Sequence, residues 1–176
     1  MAKRGFSIIK KDPTRDRIRM AINSINKMRR HYINDDQFFD YFELFLIRTR
    51  SIIDYFEEQN NLKRNPPNIY IQEKQILQNK TLYKVFNKFR NTDVHDWPKQ
   101  ILAKYISPNG SSSRRCTVDY INYVENADPN YDPNFAILEK RFLKGYEDKE
   151  IIQCSEMFLD LIRTFLNNCK IRLNIS

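Results

Sequence analysis

The chain is short of most residues that build catalytic and metal sites. Its 176 residues include two histidines, three cysteines, three glycines and one tryptophan. Cys116, Cys154 and Cys169 are odd in number and form no Cys-x-x-Cys pair, so neither a disulfide framework nor a zinc knuckle is expected. Cys154 and Cys169 fall in one apolar helical segment and read as small core residues. Scarce glycine, with long segments that mix polar and apolar residues, argues for helices over sheets. No apolar run approaches membrane-spanning length, and the basic start, Met1 to Lys11, holds no apolar signal core. A reducing cytoplasm, away from any membrane, is the expected setting.

Positive charge is in excess. Thirty Lys and Arg residues against twenty-two Asp and Glu leave a formal charge of +8 and a pI near 9.4. A balance of this size favours a polyanionic partner, most often nucleic acid. The length suits one domain with its own core.

Residues 1–11 read as a basic tail. Pro13 suits the first turn of a helix running to about His31, with Ile18, Ile22, Ile25 and Met28 on one face. Asn34, Asp35 and Asp36 supply caps for a second helix over about 36–60. There Phe38, Phe42, Phe45, Ile52 and Phe56 form a stripe, with Phe39, Leu46 and Ile53 beside it. Arg48 lies close to that stripe and needs a partner or an aqueous cleft. Asn65-Pro66-Pro67-Asn68 is a break. A third helix is predicted from about Tyr70 to Phe89, with Ile76, Leu82, Val85, Phe86 and Phe89 inward. Trp97-Pro98 starts a short helix through Ile106. Residues 107–115 read as a loop, 116–124 as a short strand and 135–144 as a short helix. The last helix, about 148–172, carries Ile151, Phe158, Ile162, Phe165 and Cys169 on one face. The expected fold is all-α: a single domain over 1–176, a bundle of four to five main helices. An irregular insertion over 107–147 has room for a short strand or hairpin.

Chemistry concentrates in Arg90-Asn91-Thr92-Asp93-Val94-His95. An arginine clamps phosphate through a planar fork of donors, and a histidine moves protons near neutral pH. Five residues apart on a continuous helix, they sit about 140° from each other and share no face. Asn91, Thr92 and Asp93 favour caps and turns, so Arg90 is expected to end one helix and His95 to open the next element. Asp93 and Asp96 flank the histidine, and either can orient its ring or raise its pKa.

An Arg-Asn-x-x-x-His motif at a helix junction in a small helical bundle resembles the HEPN family of prokaryotic helical domains. Only these six residues are diagnostic of it. Membership implies a homodimer whose two motifs meet in one site and cleave RNA without a metal or other cofactor. The ribose 2′-hydroxyl attacks the adjacent phosphate and leaves a cyclic phosphate and a 5′-hydroxyl. Carried over by position, Arg90 neutralises the phosphate, His95 transfers protons and Asn91 holds the motif or the phosphate. The setting implied is a toxin or anti-phage system, with a cognate antitoxin or other regulatory protein as a further partner. Some members carry a modifiable tyrosine two residues after the histidine. Trp97 stands there in this chain, so control through that tyrosine is not expected.

Other residues enter as supporting candidates. Arg48, Arg114 and Arg115 are candidate RNA contacts, and Glu43 on the second helix is a candidate orienting group beside Asp93 and Asp96. Two further functions fit parts of the sequence. One is a non-catalytic helical module that binds RNA or protein through Arg114, Arg115 and the basic tail, with Tyr120 and Tyr123 as stacking surfaces. The other is a metal-dependent phosphohydrolase of the HD type, from the His95-Asp96 pair with His31 and a distant acid among Asp119, Asp148 and Asp160. His31 lies in a strongly basic setting that opposes a cation.

Overall fold

Helix α1 (Pro13–Arg30) begins at its start signal: Asp12 accepts a hydrogen bond from the Arg15 N–H at 3.1 Å, and Pro13 takes a position where no N–H is needed. The structure, a computed structural model, describes residues 12–32, 35–91, 104–106, 112–114 and 149–175. These form five helices and one short hairpin, an all-α bundle as the sequence predicts. After α1 come α2 (Asp35–Gln59), α3 (Asn68–Asn79), α4 (Thr81–Asn91), β1 (Lys104–Ile106), β2 (Ser112–Arg114) and α5 (Ile151–Leu173).

α1 packs antiparallel on α2. Near its start, Thr14 Oγ1 donates to Gln59 Oε1 at 2.5 Å and Arg17 lies over the Tyr55 ring at 4.9 Å. Near its end, Lys27 lies over Tyr41 at 4.9 Å. The buried face of α1 is Thr14, Ala21, Ser24, Ile25 and Met28. Ile22, expected inside, is 39% exposed. It follows Ala21 by about 100° around the helix, and the small Ala21 and Ser24 rather than the isoleucine meet α2.

The α2 stripe is where the pattern puts it: Phe38, Phe42, Phe45, Ile52 and Phe56, with Phe39, Leu46 and Ile53, are all buried. Aromatic contacts tie it to two other helices. Phe86 of α4 stacks on Phe158 of α5 at 4.5 Å between ring centroids, and Phe45 meets both rings at 6.2 Å. Offset and edge-on pairs of this kind add to plain burial.

The predicted third helix is two helices. Lys80 is extended (φ −68°, ψ 129°) and separates α3 from α4. The reason is a phase slip in the apolar pattern. α3 buries Tyr70, Glu73 and Leu77, whereas α4 buries Leu82, Val85 and Phe86. Leu77 and Leu82 are about 140° apart on a continuous helix, so one unbroken rod leaves one set in water. The break turns both inward, and Ile76, expected inside, becomes 52% exposed. The side chain of Phe89 lies outside the described residues.

α5 opens with a capping box, in which the Glu150 N–H donates to Gln153 Oε1 at 3.1 Å. It buries Ile151, Phe158, Ile162, Phe165 and Cys169 as predicted, together with Cys154. It ends at Asn174 in the left-handed region (φ 52°), which asparagine tolerates. β1 and β2 pair antiparallel, Lys104 opposite Arg114 and Ile106 opposite Ser112. This replaces the last residues of the helix predicted through Ile106, whose start lies outside the described residues, and part of the loop predicted over 107–115. Tyr105 and Ile106 favour a strand, and Pro108-Asn109-Gly110 between the strands carries strong turn signals. The predicted strand at 116–124 and helix at 135–144 lie outside the described residues.

Candidate functional site

α4 runs antiparallel to α2. Its first turns, through Tyr83 and Lys84, line a cleft with Asp54 and Glu57, while Arg90 in its last turn lies against Leu46 and Thr49. α4 is described as far as Asn91, with Arg90 in its last described turn; the turn-forming residues expected to stop the helix lie outside the described residues. Arg90 is half-buried in a narrow groove whose apolar wall is Phe86, Phe158 and Ile162. That wall belongs to the aromatic core, so the arginine stem rests on a well-packed part of the bundle.

This position is electrostatically unfavourable for the guanidinium. Burial, then the charge of Arg50, push the Arg90 pKa below its ordinary value, and Tyr83 and Asp54 offset this in part. An arginine stays protonated regardless, so the shift measures an unfavourable environment for a cation rather than a change of charge state. Arg50 comes from the facing helix. Its Nε donates to Asp54 at 3.1 Å across one turn of α2, an exposed pair of small energetic weight.

Beside the groove, between α2, α3 and α4, lies a cleft of about 380 Å³. Arg50, Ile53, Tyr83 and Asn87 border both spaces, so the two adjoin. The cleft floor is a buried polar cluster. The Tyr70 hydroxyl and Lys74 Nζ each donate to Glu57 Oε1 at 2.5 Å. Burial raises the Glu57 pKa, but the Lys74 and Tyr70 hydrogen bonds and the lysine charges outweigh it, and the carboxyl lies below its ordinary range. Burial chiefly raises the Tyr83 hydroxyl, opposed by Lys74, Arg50 and Arg90.

The other candidates divide. Arg48 stands two residues before Arg50, about 200° around α2, and points to the opposite side. Its Nη1 donates to Ser24 Oγ at 2.6 Å and to the Met20 carbonyl at 2.9 Å, so it ties α1 to α2. Glu43 lies on the Arg50 side of α2, two turns and about 10.5 Å towards the N-terminus. Asn91 is the last residue of α4, and Arg114 pairs with Lys104 in the hairpin. His95, Asp93, Asp96 and Arg115 lie outside the described residues. His31 ends α1 with its ring 5.3 Å from Tyr41. Among the described residues no three His, Cys, Asp or Glu side chains gather in a way that could hold a metal.

Arg50 is the functional candidate that the sequence pattern does not reveal. Only its position opposite Arg90, one turn after Leu46, singles it out from the other charges on the polar side of α2. Compared with known proteins, the chain matches no family model, no curated protein and no solved structure.

Proposed function

We propose that the chain is a metal-independent endoribonuclease of the HEPN type, acting in the cytoplasm as a homodimer with a shared Arg/His site. The observation that carries this reading is the pair of guanidinium groups, Arg90 and Arg50, at the end of α4. Arg90 is held on an aromatic wall and is disfavoured as a cation by burial and by Arg50. A phosphate relieves that penalty. Preorganised cations at the point where charge develops are among the larger contributors to catalysis.

In this reading the ribose 2′-hydroxyl is the nucleophile, so no protein Ser or Cys is required. His95 takes the 2′-hydroxyl proton, or gives one to the leaving 5′-oxygen, and its copy across the dimer performs the other transfer. Arg90 neutralises the phosphoryl oxygens, and Asn91 keeps the motif in register. Acid–base catalysis of this kind is typically worth about 10²–10⁴-fold. A cognate regulatory protein in a toxin or anti-phage setting would hold such an activity in check.

The test is an RNA digestion in EDTA with the parent protein, Arg90→Ala and His95→Ala. The expected result is cleavage by the parent alone, leaving cyclic phosphate and 5′-hydroxyl ends. Cleavage by both variants at the parental rate refutes the assignment, and so does activity that EDTA abolishes and Mn²⁺ restores.

A further inference from the structure

The cleft beside Arg90 has a composition that a phosphate site alone does not require. Its volume of about 380 Å³ falls in the range of clefts that hold small ligands, about 300–1,000 Å³. Two side-chain amides, Gln78 of α3 and Asn87 of α4, line it, and neither hydrogen-bonds within the described residues. Asn87 is half-buried, and its amide faces no hydrogen-bond partner among the described residues. Each amide offers a donor and an acceptor side by side, the pattern that matches a base edge. Tyr83 adds a half-buried aromatic wall. Lys84, at the mouth, has no ion-pair partner among the described residues, whereas Arg50 and Lys74 are paired with Asp54 and Glu57.

We propose that this cleft seats one unstacked nucleobase of a single-stranded RNA, the base next to the phosphate that lies against Arg90 and Arg50. Asn87 and Gln78 read the base edge, Tyr83 walls its face and Lys84 meets the next phosphate along the strand. Single-stranded RNA is recognised in this manner, by splayed bases held against aromatic surfaces and hydrogen-bonded at their edges. Arg50, Tyr83 and Asn87 border both groove and cleft, so a base in one and its phosphate in the other lie side by side. The assignment rests on the ribonuclease reading for the identity of its ligand, and it adds base preference to that reading.

The experiment measures binding of four short 2′-O-methyl homo-oligonucleotides, of A, C, G and U, to the parent and to Asn87→Ala, Asn87→Asp and Gln78→Ala. The methyl group blocks the attacking oxygen, so binding is read without cleavage. The parent is expected to prefer one base. Asn87→Ala should lower affinity for that base about tenfold, within the range of one amide–base contact, and leave the other three near parental values. Gln78→Ala should act in the same direction. Asn87→Asp, which keeps the shape and replaces a donor with an acceptor, should shift the preference to a different base. A parent with no base preference, or an Asn87→Asp variant that keeps the parental one, overturns the proposal. The two readings fail separately. Base-blind binding with intact cleavage in EDTA sinks the pocket and spares the ribonuclease. Base-selective binding lost in Asn87→Asp, with Arg90→Ala and His95→Ala cutting like the parent, does the reverse.

Discussion

Ile76 and Leu77 are neighbours on one helix, and truncating each to alanine should give opposite results. Leu77 is 2% exposed and Ile76 is 52% exposed. Leu77→Ala removes three buried carbons, about 2.4 kcal/mol at about 0.8 kcal/mol per carbon, before any cavity is counted. With the cavity, such changes cost about 2–5 kcal/mol. In a chain of this size about 2–4 °C of Tm corresponds to each kcal/mol, so the loss is roughly 4–20 °C. Ile76→Ala removes the same number of carbons from a half-wet site, and alanine is the better helix former. Its effect should stay near 0.5 kcal/mol, about 1–2 °C. Thermal melts monitored by circular dichroism read both variants under one set of conditions. Equal losses, or a larger loss at Ile76, would mean that α3 presents another face to the core. The break at Lys80 would then lack its physical cause.

Glu57→Gln should cost about 1–3 kcal/mol in urea at pH 7, because Lys74 and Tyr70 lose a charged acceptor. The folded carboxyl titrates below its ordinary 4.5, so its stabilisation is present above that pH and fades as pH falls through the lower folded value. The parent should therefore lose stability below about pH 4.5 more steeply than the variant; parallel acid profiles would refute the pairing. Cys154 and Cys169 are buried, and burial pushes the Cys169 thiol up to about 12, so both should resist a thiol reagent at about pH 8 until denaturant is added. Arg48→Met and Arg50→Ala should separate structure from activity. The first loosens α1 from α2, lowers Tm and leaves cleavage per folded molecule unchanged. The second leaves Tm near the parental value and lowers RNA cleavage at least about tenfold. Equal effects of the two on cleavage would refute the distinction.

The sequence is most legible where one period runs long. α2 and α5 each keep a single 3.6-residue stripe over six turns or more, and their buried phenylalanines and isoleucines fall where the pattern puts them. In α1 the stripe holds at Ile25 and Met28 and in part at Ile18, and it misses at Ile22, because the small Ala21 and Ser24 make the helix contact there. No proline or glycine marks the α3–α4 break. It is written only in the 140° slip between Leu77 and Leu82, which shows once the two apolar sets are plotted as separate phases, about 100° being one residue's turn. β1 is hidden by Pro98, a good helix start that does not constrain the chain six residues later.

The site is legible in part, and for a reason that also explains Arg50. Arg90 stands out because a histidine comes after it at a suggestive spacing, a relation within the sequence. Arg50 stands out only across space. On α2 it belongs to a run of charged residues on the solvent side, and its i, i+4 partner Asp54 makes it look like an ordinary surface pair. Antiparallel packing of α4 on α2 is what carries Arg90 to it, and that packing comes from Phe42, Phe45 and Phe86 burying against one another. Burial, and after it the charge of Arg50, disfavour the Arg90 cation, and Tyr83 and Asp54 offset this in part. An apolar residue at position 90 could pack against Phe86 and Phe158 without that desolvation cost. In the proposed function a phosphate lies against both arginines, which it can meet through paired hydrogen bonds. The aromatic core and the cation pair are therefore one device: the first sets the spacing that the second requires.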